Sequence, residues 1–264
     1  MVPRMDCLDL PPLIPPLLAM AREAGAAIMA VYQAGPGRVQ HKADDSPLTA
    51  ADLAAHQVLA NRLAPLLPGC HVVSEEDEAS LHHRVTEQCF WLIDPLDGTK
   101  EFIARNGEFT VNIALIDQGR SVLGVVYAPA LDALYWGGPG LGAFRIHLGA
   151  TTALSVAPRT PGTPCRVLAS KSHLNADTQA FIDSLGPVSL VQAGSSLKFC
   201  RIAEGEADLY PRLSPTCEWD TAAAQAVLEG AGGTVVDLEH RPLRYGKPDI
   251  LNPSFIASGE LFHP

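Results

Sequence analysis

The sequence predicts a mixed α/β protein with an α+β N-terminal half and an α/β C-terminal half. Three short apolar segments between residues 109 and 136 are joined by polar turns, which predicts an antiparallel meander. The second half alternates short apolar runs with helical patterns, which is typical of helices packed over a sheet. Residues 160–164 are rich in proline and threonine and are the best candidate for a linker. We therefore expect one half to cover residues 1–155 and the other to cover residues 156–264.

Two helices are predicted before the meander. Residues 11–33 repeat apolar side chains at three- and four-residue spacing, with an alanine-rich face that suggests close packing. Thr49 is expected to cap the second helix, and Asp52 falls at its third helical position, where an acid completes a capping box. An acid there also interacts favourably with the helix dipole, which explains Asp52 without any functional role. The functional alternative is that Asp52 orients Thr99.

The stretch around which the chain is organised follows a buried apolar strand. That strand is expected to end at Asp94, because Pro95 cannot donate a hydrogen bond to a sheet ladder. Asp97 and Gly98 then complete a tight loop, and Thr99 stands at a predicted helix start, where N–H groups can receive a phosphate oxygen. An ordinary turn has the same composition. Two carboxylates and a helix start at the end of a strand also suit a cation and a phosphate.

Further acids occur at comparable positions. Glu75 directly follows the predicted strand at residues 70–74, and Asp220 begins the predicted helix at residues 219–230. A solvated acidic loop and a helix-dipole partner are the structural explanations of these two acids. Because hard cations take oxygen ligands, the recurrence of acids at element ends favours a metal site.

The second half contains candidate anion ligands. Ser195 and Lys198 belong to a predicted helix start that offers a hydroxyl, an amine and N–H groups together, which suits an anion. His173 and Arg212 lie in the same half, and each of these side chains taken alone is typical of a surface residue. The predicted strands here are 166–169, 188–191, 207–210, 234–236 and 255–257, and the predicted helices are 177–185, 195–203 and 219–230.

Composition narrows the class of protein. The net charge of −10 disfavours binding to a nucleic acid polymer. No continuous apolar run reaches the roughly 18 residues of a membrane span, and the N-terminus lacks the pattern of a signal peptide, so we expect a cytoplasmic protein. A peripheral anchor formed by residues 11–33 is the alternative. The six cysteines are scattered without a C-x-x-C pair, which argues against structural zinc and against a disulfide scaffold.

The motifs together resemble the inositol monophosphatase superfamily of metal-dependent phosphatases. The resemblance covers roughly residues 10–257, and within the superfamily it is strongest to the 3′(2′),5′-bisphosphate nucleotidases. The matching runs are Glu75-Glu76, Asp94-Pro95-Leu96-Asp97-Gly98-Thr99, Trp219-Asp220, Gly232-Gly233, and the stretches 42–49, 97–102, 105–112 and 194–200. Two small departures are Leu96, where many relatives have isoleucine, and Glu218, which places an additional acid before the Trp-Asp pair.

The resemblance implies a layered αβαβα sandwich with a metal site between the two halves. Two or three Mg²⁺ ions are implied, with Glu75, Asp94 and the Leu96 carbonyl at the first, Asp94, Asp97 and Asp220 at the second, and Glu75 at a loosely bound third. Thr99, oriented by Asp52, would hydrogen-bond the water that the metal activates. The implied reaction converts adenosine 3′,5′-bisphosphate to AMP and phosphate. The residues implied to contact the substrate are Gly98, Thr99, His173, Ser195, Lys198, Arg212 and Asp220.

The resemblance also implies a role in sulfur assimilation and a monomer or homodimer. An inositol monophosphatase or fructose 1,6-bisphosphatase of the same fold is the nearest alternative function. Lys100 and Glu101 after the central motif, and the run at 195–198, favour the nucleotide. A non-catalytic metal- or nucleotide-binding regulator is a more distant alternative, because it would not need Thr99 and Asp52 beside a full ligand set.

Overall fold

The structure is a computed structural model, and it describes residues 8–35, 40–41, 47–158, 162–170 and 175–259. Within these residues the chain forms seven α-helices, three short 3₁₀ helices and fourteen strands. The α-helices are α1 (Ile14–Ala34), α2 (Ala50–Leu66), α3 (His83–Thr86), α4 (Thr99–Ile103), α5 (Ala176–Ser184), α6 (Leu197–Ala203) and α7 (Trp219–Gly230), and the 3₁₀ helices are Pro11–Leu13, Glu78–His82 and Pro129–Leu131. The strands are β1 (Gln40–His41), β2 (Pro47–Leu48), β3 (His71–Ser74), β4 (Cys89–Asp97), β5 (Thr110–Asp117), β6 (Arg120–Ala128), β7 (Ala133–Gly138), β8 (Gly142–His147), β9 (Ala150–Leu154), β10 (Cys165–Ser170), β11 (Val188–Ala193), β12 (Leu209–Arg212), β13 (Thr234–Asp237) and β14 (Phe255–Ser258).

Two large sheets form the framework. The seven-stranded sheet has the order β3-β4-β5-β6-β7-β8-β9, in which β3 is parallel to β4 and every other pair is antiparallel. The five-stranded sheet has the order β11-β10-β12-β14-β13, and β10 runs parallel to both of its neighbours. The predicted meander is confirmed, and it continues through β8 and β9. The sequence analysis did not predict these two strands, because the side chains of β8 are mostly half-buried and those of β9 are mostly exposed.

The strands β4, β5 and β6 of the seven-stranded sheet are mostly buried on both faces, which explains the uninterrupted apolar run in β4. Successive side chains of a strand point to opposite faces. Trp91 and Ile93 belong to the core cluster that contains the buried faces of α1 and α2. Phe90 and Leu92 belong to the cluster that contains α6, α7 and the inner face of the five-stranded sheet.

Helix α5 covers the outer face of the five-stranded sheet. Ile182 of α5 packs with Val167, Leu209 and Ile256 in a smaller third cluster. The layers are therefore α1 and α2, the large sheet, α6 and α7, the small sheet, and α5. This order confirms the expected αβαβα sandwich. The core cluster that contains α6 and α7 includes residues from both sides of residue 155. The division of the chain into two halves at that position stays a prediction.

The expected end of β4 at Asp94 is wrong, because the strand continues through Pro95 to Asp97. Asp94 pairs with Asn112 and Asp97 pairs with Thr110, so two residues of β4 lie opposite one residue of β5. Such a bulge removes the ladder position at which a proline would lack its N–H donor. The bulge also brings two acids to the end of the strand without breaking the sheet.

One segment, Pro11–Ala34, is long and apolar enough to cross a membrane by length and composition. A buried core helix can meet the same criterion, so the expectation that the chain has no integral membrane segment stays a prediction. Prolines and the Arg22-Glu23 pair interrupt the apolar runs of this segment. Leu17, Ala21 and Ile28 on one face of α1 are buried in the core cluster beneath the large sheet.

The expectation that the cysteines form no disulfide framework needs one correction. Cys70 and Cys89, at the starts of β3 and β4, form a disulfide with their Cα atoms 5.5 Å apart. Parallel pairing of β3 with β4 places these starts side by side, which the spacing of cysteines in the sequence does not reveal. Cys165 and Cys200 are buried among apolar side chains of the core.

Candidate active site

Three acids meet where the bulged end of β4 faces the start of α7. Asp94, Asp97 and Asp220 each offer a carboxylate oxygen, and these oxygens lie within 4.8 Å of one another. Asp94 is 1% exposed. The Leu96 N–H donates to Asp94 Oδ1 at 3.0 Å, and the Cys217 N–H donates to Asp220 Oδ2 at 2.7 Å. Backbone hydrogen bonds therefore help to fix the carboxylates of Asp94 and Asp220.

The three carboxylates are electrostatically unfavourable without a cation. Burial, together with the negative charges of Glu75, Asp97 and Asp220, raises the pKa of Asp94 well above its ordinary value. Burial and the charges of Asp97 and Glu75 do the same to the pKa of Asp220. Burial also raises the pKa of Asp97, although the charge of Lys198 opposes this shift. Carboxylates in this arrangement favour a bound divalent cation, because its positive charge is attracted to all three of them at once.

Asp97 is held by residues that the sequence reasoning did not single out as functional. Its Oδ2 accepts from the Ser196 N–H at 2.7 Å and from Ser196 Oγ at 2.8 Å. Asn112 Nδ2 and Thr110 Oγ1, both on the neighbouring strand β5, lie 3.3 and 3.4 Å from the same oxygen. The polar pair Thr110 and Asn112 within an otherwise apolar strand was the available sign of this role.

Glu75 enters the site from the adjacent strand. It directly follows β3, and its N–H donates to the Ile93 carbonyl of β4 at 3.3 Å, which continues the pairing of the two strands. Glu75 lines the same cavity as Asp94, Asp97 and Asp220. The structure thus brings together all four predicted metal-binding acids.

Thr99 and Asp52 are in contact across two elements. Thr99 Oγ1 lies 3.3 Å from Asp52 Oδ1 and 3.3 Å from the Leu96 carbonyl oxygen. The other oxygen of Asp52 accepts from the N–H and hydroxyl of Thr49 at 2.7 and 2.6 Å, which forms the predicted capping box. Asp52 therefore caps α2 and contacts Thr99 at the same time, so the structural and functional interpretations are both compatible with its position.

Gly98 is required at the turn between β4 and α4. Its φ of 88° lies in the left-handed region that glycine tolerates best. A Cβ atom there would come within 3.2 Å of the Glu108 carbonyl oxygen and within 3.3 Å of Ser195 Cβ. The glycine therefore allows the acidic loop and the Ser195 loop to approach closely.

The predicted anion ligands of the second half line the same cavity, which has a volume of about 250 Å³. Lys198 is 5% exposed, and its amine donates to the Ser195 carbonyl at 2.6 Å and lies 5.1 Å from the centre of the Tyr210 ring. Burial lowers the pKa of Lys198 to about 8, against the opposing effect of Asp97. Arg212 is 8% exposed, and its Nη2 donates to the Pro215 carbonyl at 3.1 Å. Ser195 Oγ is buried with no hydrogen-bond partner among the described residues.

Two sequence expectations have different outcomes. His173 lies outside the described residues, so its implied contact with the substrate stays a prediction. Glu218, whose effect was open, is fully buried and pairs with Arg84 and with the Lys247 amine. Its carboxylate also accepts from the Gly246 N–H at 2.9 Å. Its carboxyl group is thus committed to a structural ion pair just before α7.

The donor set fits Mg²⁺. Mg²⁺ prefers oxygen ligands and retains several waters, so it needs only a few carboxylates. Three carboxylates within 4.8 Å of one another, one of them buried and two partly buried, match that requirement. Burial and the charges of neighbouring acids raise the pKa values of Asp94 and Asp220. The Leu96 carbonyl oxygen beside them is an additional neutral ligand of the right kind.

The model of the inositol monophosphatase family matches residues 9–263. The chain belongs to the inositol monophosphatase family. Family members known from solved structures share its fold. The CysQ protein of Bacteroides thetaiotaomicron, described as a bacterial member of the family, superposes with a TM-score of 0.81 at 39% identity, over 92% of this chain and 95% of that one. The SuhB protein of Bartonella henselae superposes with a TM-score of 0.75 at 26% identity, over 94% of this chain and 93% of that one.

Curated relatives within the family are similar over nearly their full length. The 3′(2′),5′-bisphosphate nucleotidase CysQ of Escherichia coli K12 is 48% identical over 241 residues, which cover 90% of this chain and 96% of that protein. The protein of the same name from Haemophilus influenzae is 34% identical over 247 residues, with 92% and 91% covered.

Proposed function

We propose that this protein is a 3′(2′),5′-bisphosphate nucleotidase that hydrolyses adenosine 3′,5′-bisphosphate to AMP and phosphate with the help of Mg²⁺. The relatives at 48% identity confirm the predicted class of enzyme. The observation that carries the proposal is one cavity with two oppositely charged parts. Asp94, Asp97 and Asp220 form the acidic part, and Lys198 and Arg212 form the basic part.

A bisphosphate suits this division of charge. The reacting 3′-phosphate would lie at the acidic part, where bound cations neutralise it. The second phosphate would contact Lys198, Arg212 and the Ser195 hydroxyl, which is buried with no partner among the described residues. Both cationic side chains are almost completely buried, so their attraction for a phosphate is screened less by solvent than that of a surface residue. A monophosphate would leave the basic part without a ligand.

In this proposal Thr99 positions the attacking water. Thr99 Oγ1 has one proton and two acceptors at 3.3 Å, Asp52 Oδ1 and the Leu96 carbonyl oxygen. With the Leu96 carbonyl assigned to a cation, the proton would go to Asp52 Oδ1, and the lone pairs of Oγ1 would accept a hydrogen bond from the water. Asp52 is fixed by Thr49 and cannot easily rotate away. The water attacks phosphorus and gives up a proton to solvent, and the bond from phosphorus to the 3′ oxygen breaks. The leaving oxygen takes up a proton from solvent, so the products are AMP and phosphate.

The positions of the acids in the cavity indicate which of them would hold each cation. Glu75, Asp94 and the Leu96 carbonyl would hold one Mg²⁺, and Asp94, Asp97 and Asp220 would hold another, with Glu75 available to a third. When bound, such ions make water a better nucleophile and stabilise the charge that develops on the leaving oxygen. Ser196 and Asn112 keep the Asp97 carboxylate in place.

The cellular setting remains part of the proposal. We infer a cytoplasmic monomer or homodimer that acts on a small nucleotide in sulfur assimilation. The similarity to CysQ proteins supports this inference, and the net charge of −10 disfavours a nucleic acid polymer as the partner.

The proposal is tested by measuring phosphate release from four substrates with and without Mg²⁺. Adenosine 3′,5′-bisphosphate should give a higher kcat/KM than inositol 1-phosphate and fructose 1,6-bisphosphate, and the assay measures how it compares with its 5′-phosphosulfate analogue. Preference for inositol 1-phosphate or fructose 1,6-bisphosphate would instead establish one of the alternative phosphatase functions. Mg²⁺-independent turnover would refute the role given to the acidic part.

A further inference from the structure

A second group of potential metal ligands lies at the opposite end of β3 from Glu75. His71 is the first residue of β3, His83 is the first residue of α3, and Glu87 immediately follows α3. One ligand atom from each of the three residues lies within 4.8 Å of the others. None of these residues lines the acidic cavity. We propose that His71, His83 and Glu87 form a separate site for a Zn²⁺ ion.

The two imidazoles converge on one carboxylate oxygen. His71 Nδ1 lies 2.5 Å from Glu87 Oε1, and His83 Nδ1 lies 2.8 Å from the same atom. The two rings are stacked with centroids 4.0 Å apart and an interplanar angle of 6°. Both Nδ1 atoms therefore point to the same small volume, which is the arrangement that a shared cation requires.

Glu87 has unused capacity as a ligand. Its second oxygen, Oε2, is buried and has no hydrogen-bond partner among the described residues. Partial burial opposes ionisation, but hydrogen bonds from His71 and His83 nevertheless hold the pKa of Glu87 below its ordinary value. The carboxylate is therefore ionised at neutral pH and can contribute one or both oxygens.

The ligand types favour Zn²⁺ over Mg²⁺. Imidazole nitrogen suits zinc, copper and nickel, whereas Mg²⁺ prefers a shell of oxygen ligands. Two histidines and one carboxylate are a known zinc ligand set, with the fourth position open to water. The side chain of His71 is 55% exposed, so solvent can reach that fourth position. Ligand atoms around a tetrahedral Zn²⁺ are separated by roughly 3.4 Å, given bonds of about 2.0–2.2 Å, so the exposed His71 ring must move outward by about 1 Å.

The backbone around the site is already fixed. The Cys70–Cys89 disulfide lies next to His71 in sequence and two residues after Glu87, and it joins the starts of the two strands. Because β3 also pairs with β4, the backbones of His71 and Glu87 are held at a set separation before the cation binds. Such preorganisation lowers the conformational entropy lost on binding.

The test is a titration of the full-length protein with Zn²⁺ while Mg²⁺ is held in large excess. We compare the parent with His71→Ala/His83→Ala, with Asp94→Asn and with His82→Ala. His82 is the matched control, because it neighbours His83 in sequence and its ring lies against that of His83, with centroids 3.8 Å apart and an interplanar angle of 40°. Its Nδ1 lies 2.7 Å from the Ala79 carbonyl oxygen. Calorimetry gives stoichiometry and affinity, and thermal melts with and without Zn²⁺ give the accompanying stabilisation.

The His71→Ala/His83→Ala variant should bind one Zn²⁺ equivalent fewer than the parent. Its Zn²⁺ affinity at this site should fall at least about 100-fold, because the loss of even an outer-shell partner lowers metal affinity by about 10–100-fold. It should also lose the Zn²⁺-dependent rise in Tm while keeping its Mg²⁺-dependent phosphatase activity. Asp94→Asn and His82→Ala should retain this Zn²⁺ equivalent. Unchanged binding in the double variant, loss of the equivalent in Asp94→Asn, or an equal loss in His82→Ala would each overturn the proposal.

Discussion

The protonation state of Lys198 should control the use of the second phosphate. Burial lowers its pKa to about 8, so the amine is charged at neutral pH and loses its charge as the pH rises through that value. At pH 9, one unit above, only about a tenth of the free enzyme carries the charge. Because kcat/KM reports the ionisation of the free enzyme, we expect its value for adenosine 3′,5′-bisphosphate to fall about tenfold between the plateau below pH 8 and pH 9.

The assay compares this substrate with 3′-AMP, which lacks the second phosphate. Ionisations of bound waters and of the acids affect both substrates, so the ratio of the two kcat/KM values isolates the contribution of Lys198. The ratio should fall above pH 8 in the parent and should be low and independent of pH in Lys198→Ala. Loss of a charge-assisted hydrogen bond of about 1.5–3 kcal/mol corresponds to roughly a ten- to hundredfold higher KM for the bisphosphate. A parent ratio that does not change with pH, or an equal loss on both substrates in the variant, would refute the reasoning.

The same residue should lower stability in the absence of ligands. The shift of its pKa from 10.5 to about 8 corresponds to about 3 kcal/mol of unfavourable free energy for the charged form in the folded state. Between these two values the unfolded chain binds the proton that the folded chain has lost, so the free energy of unfolding should rise with pH over that range. Lys198→Met should therefore raise the Tm measured at pH 7 by roughly 6–12 °C at most, given about 2–4 °C per kcal/mol, while it weakens bisphosphate binding. A lower Tm would indicate that the charge stabilises the fold.

Three further substitutions test other parts of the site. Asp94→Asn should abolish Mg²⁺-dependent phosphate release with little loss of fold in thermal melts, and near-normal activity would remove Asp94 from the mechanism. Thr99→Ala should lower kcat by roughly 10²–10⁴ with Mg²⁺ affinity retained in calorimetry, whereas loss of Mg²⁺ binding would make Thr99 structural. Glu218→Ala should lower the free energy of unfolding by about 3–5 kcal/mol, because it leaves the buried Arg84 without its partner, and a change below about 1 kcal/mol in denaturant titrations would contradict that assignment.

The elements that the sequence predicted well are those governed by local patterns. Trp219–Gly230 is a helix with the bounds expected from its alanine-rich face, and Thr49 and Asp52 form the expected capping box. These features depend on residues within one or two turns of one another, so the sequence contains their cause. The four acids were also predicted, partly from their positions at element ends and partly from the family resemblance.

The features that were missed depend on contacts between distant segments. The bulge at Asp94–Asp97 follows from pairing with β5, and the Cys70–Cys89 disulfide follows from the parallel pairing of β3 and β4. Ser196 was quoted only as part of a helix start, yet it lies before α6 and its N–H donates to Asp97 from 99 residues away. Neither periodicity nor spacing specifies such pairings.

The electrostatics of the cavity give an independent reason to regard it as functional. Asp94 and Lys198 are both almost fully buried, and burial opposes the charge of each. A chain under selection for stability alone would replace such groups with apolar side chains of similar volume, which is often neutral or stabilising. Buried acids and a buried lysine in one cavity therefore indicate a site shaped for charged ligands, with cations at the carboxylates and an anion at the amine. The stability that these charges cost the empty protein should be recovered when both kinds of ligand bind, so Mg²⁺ and a bisphosphate should stabilise the fold more together than the sum of their separate effects.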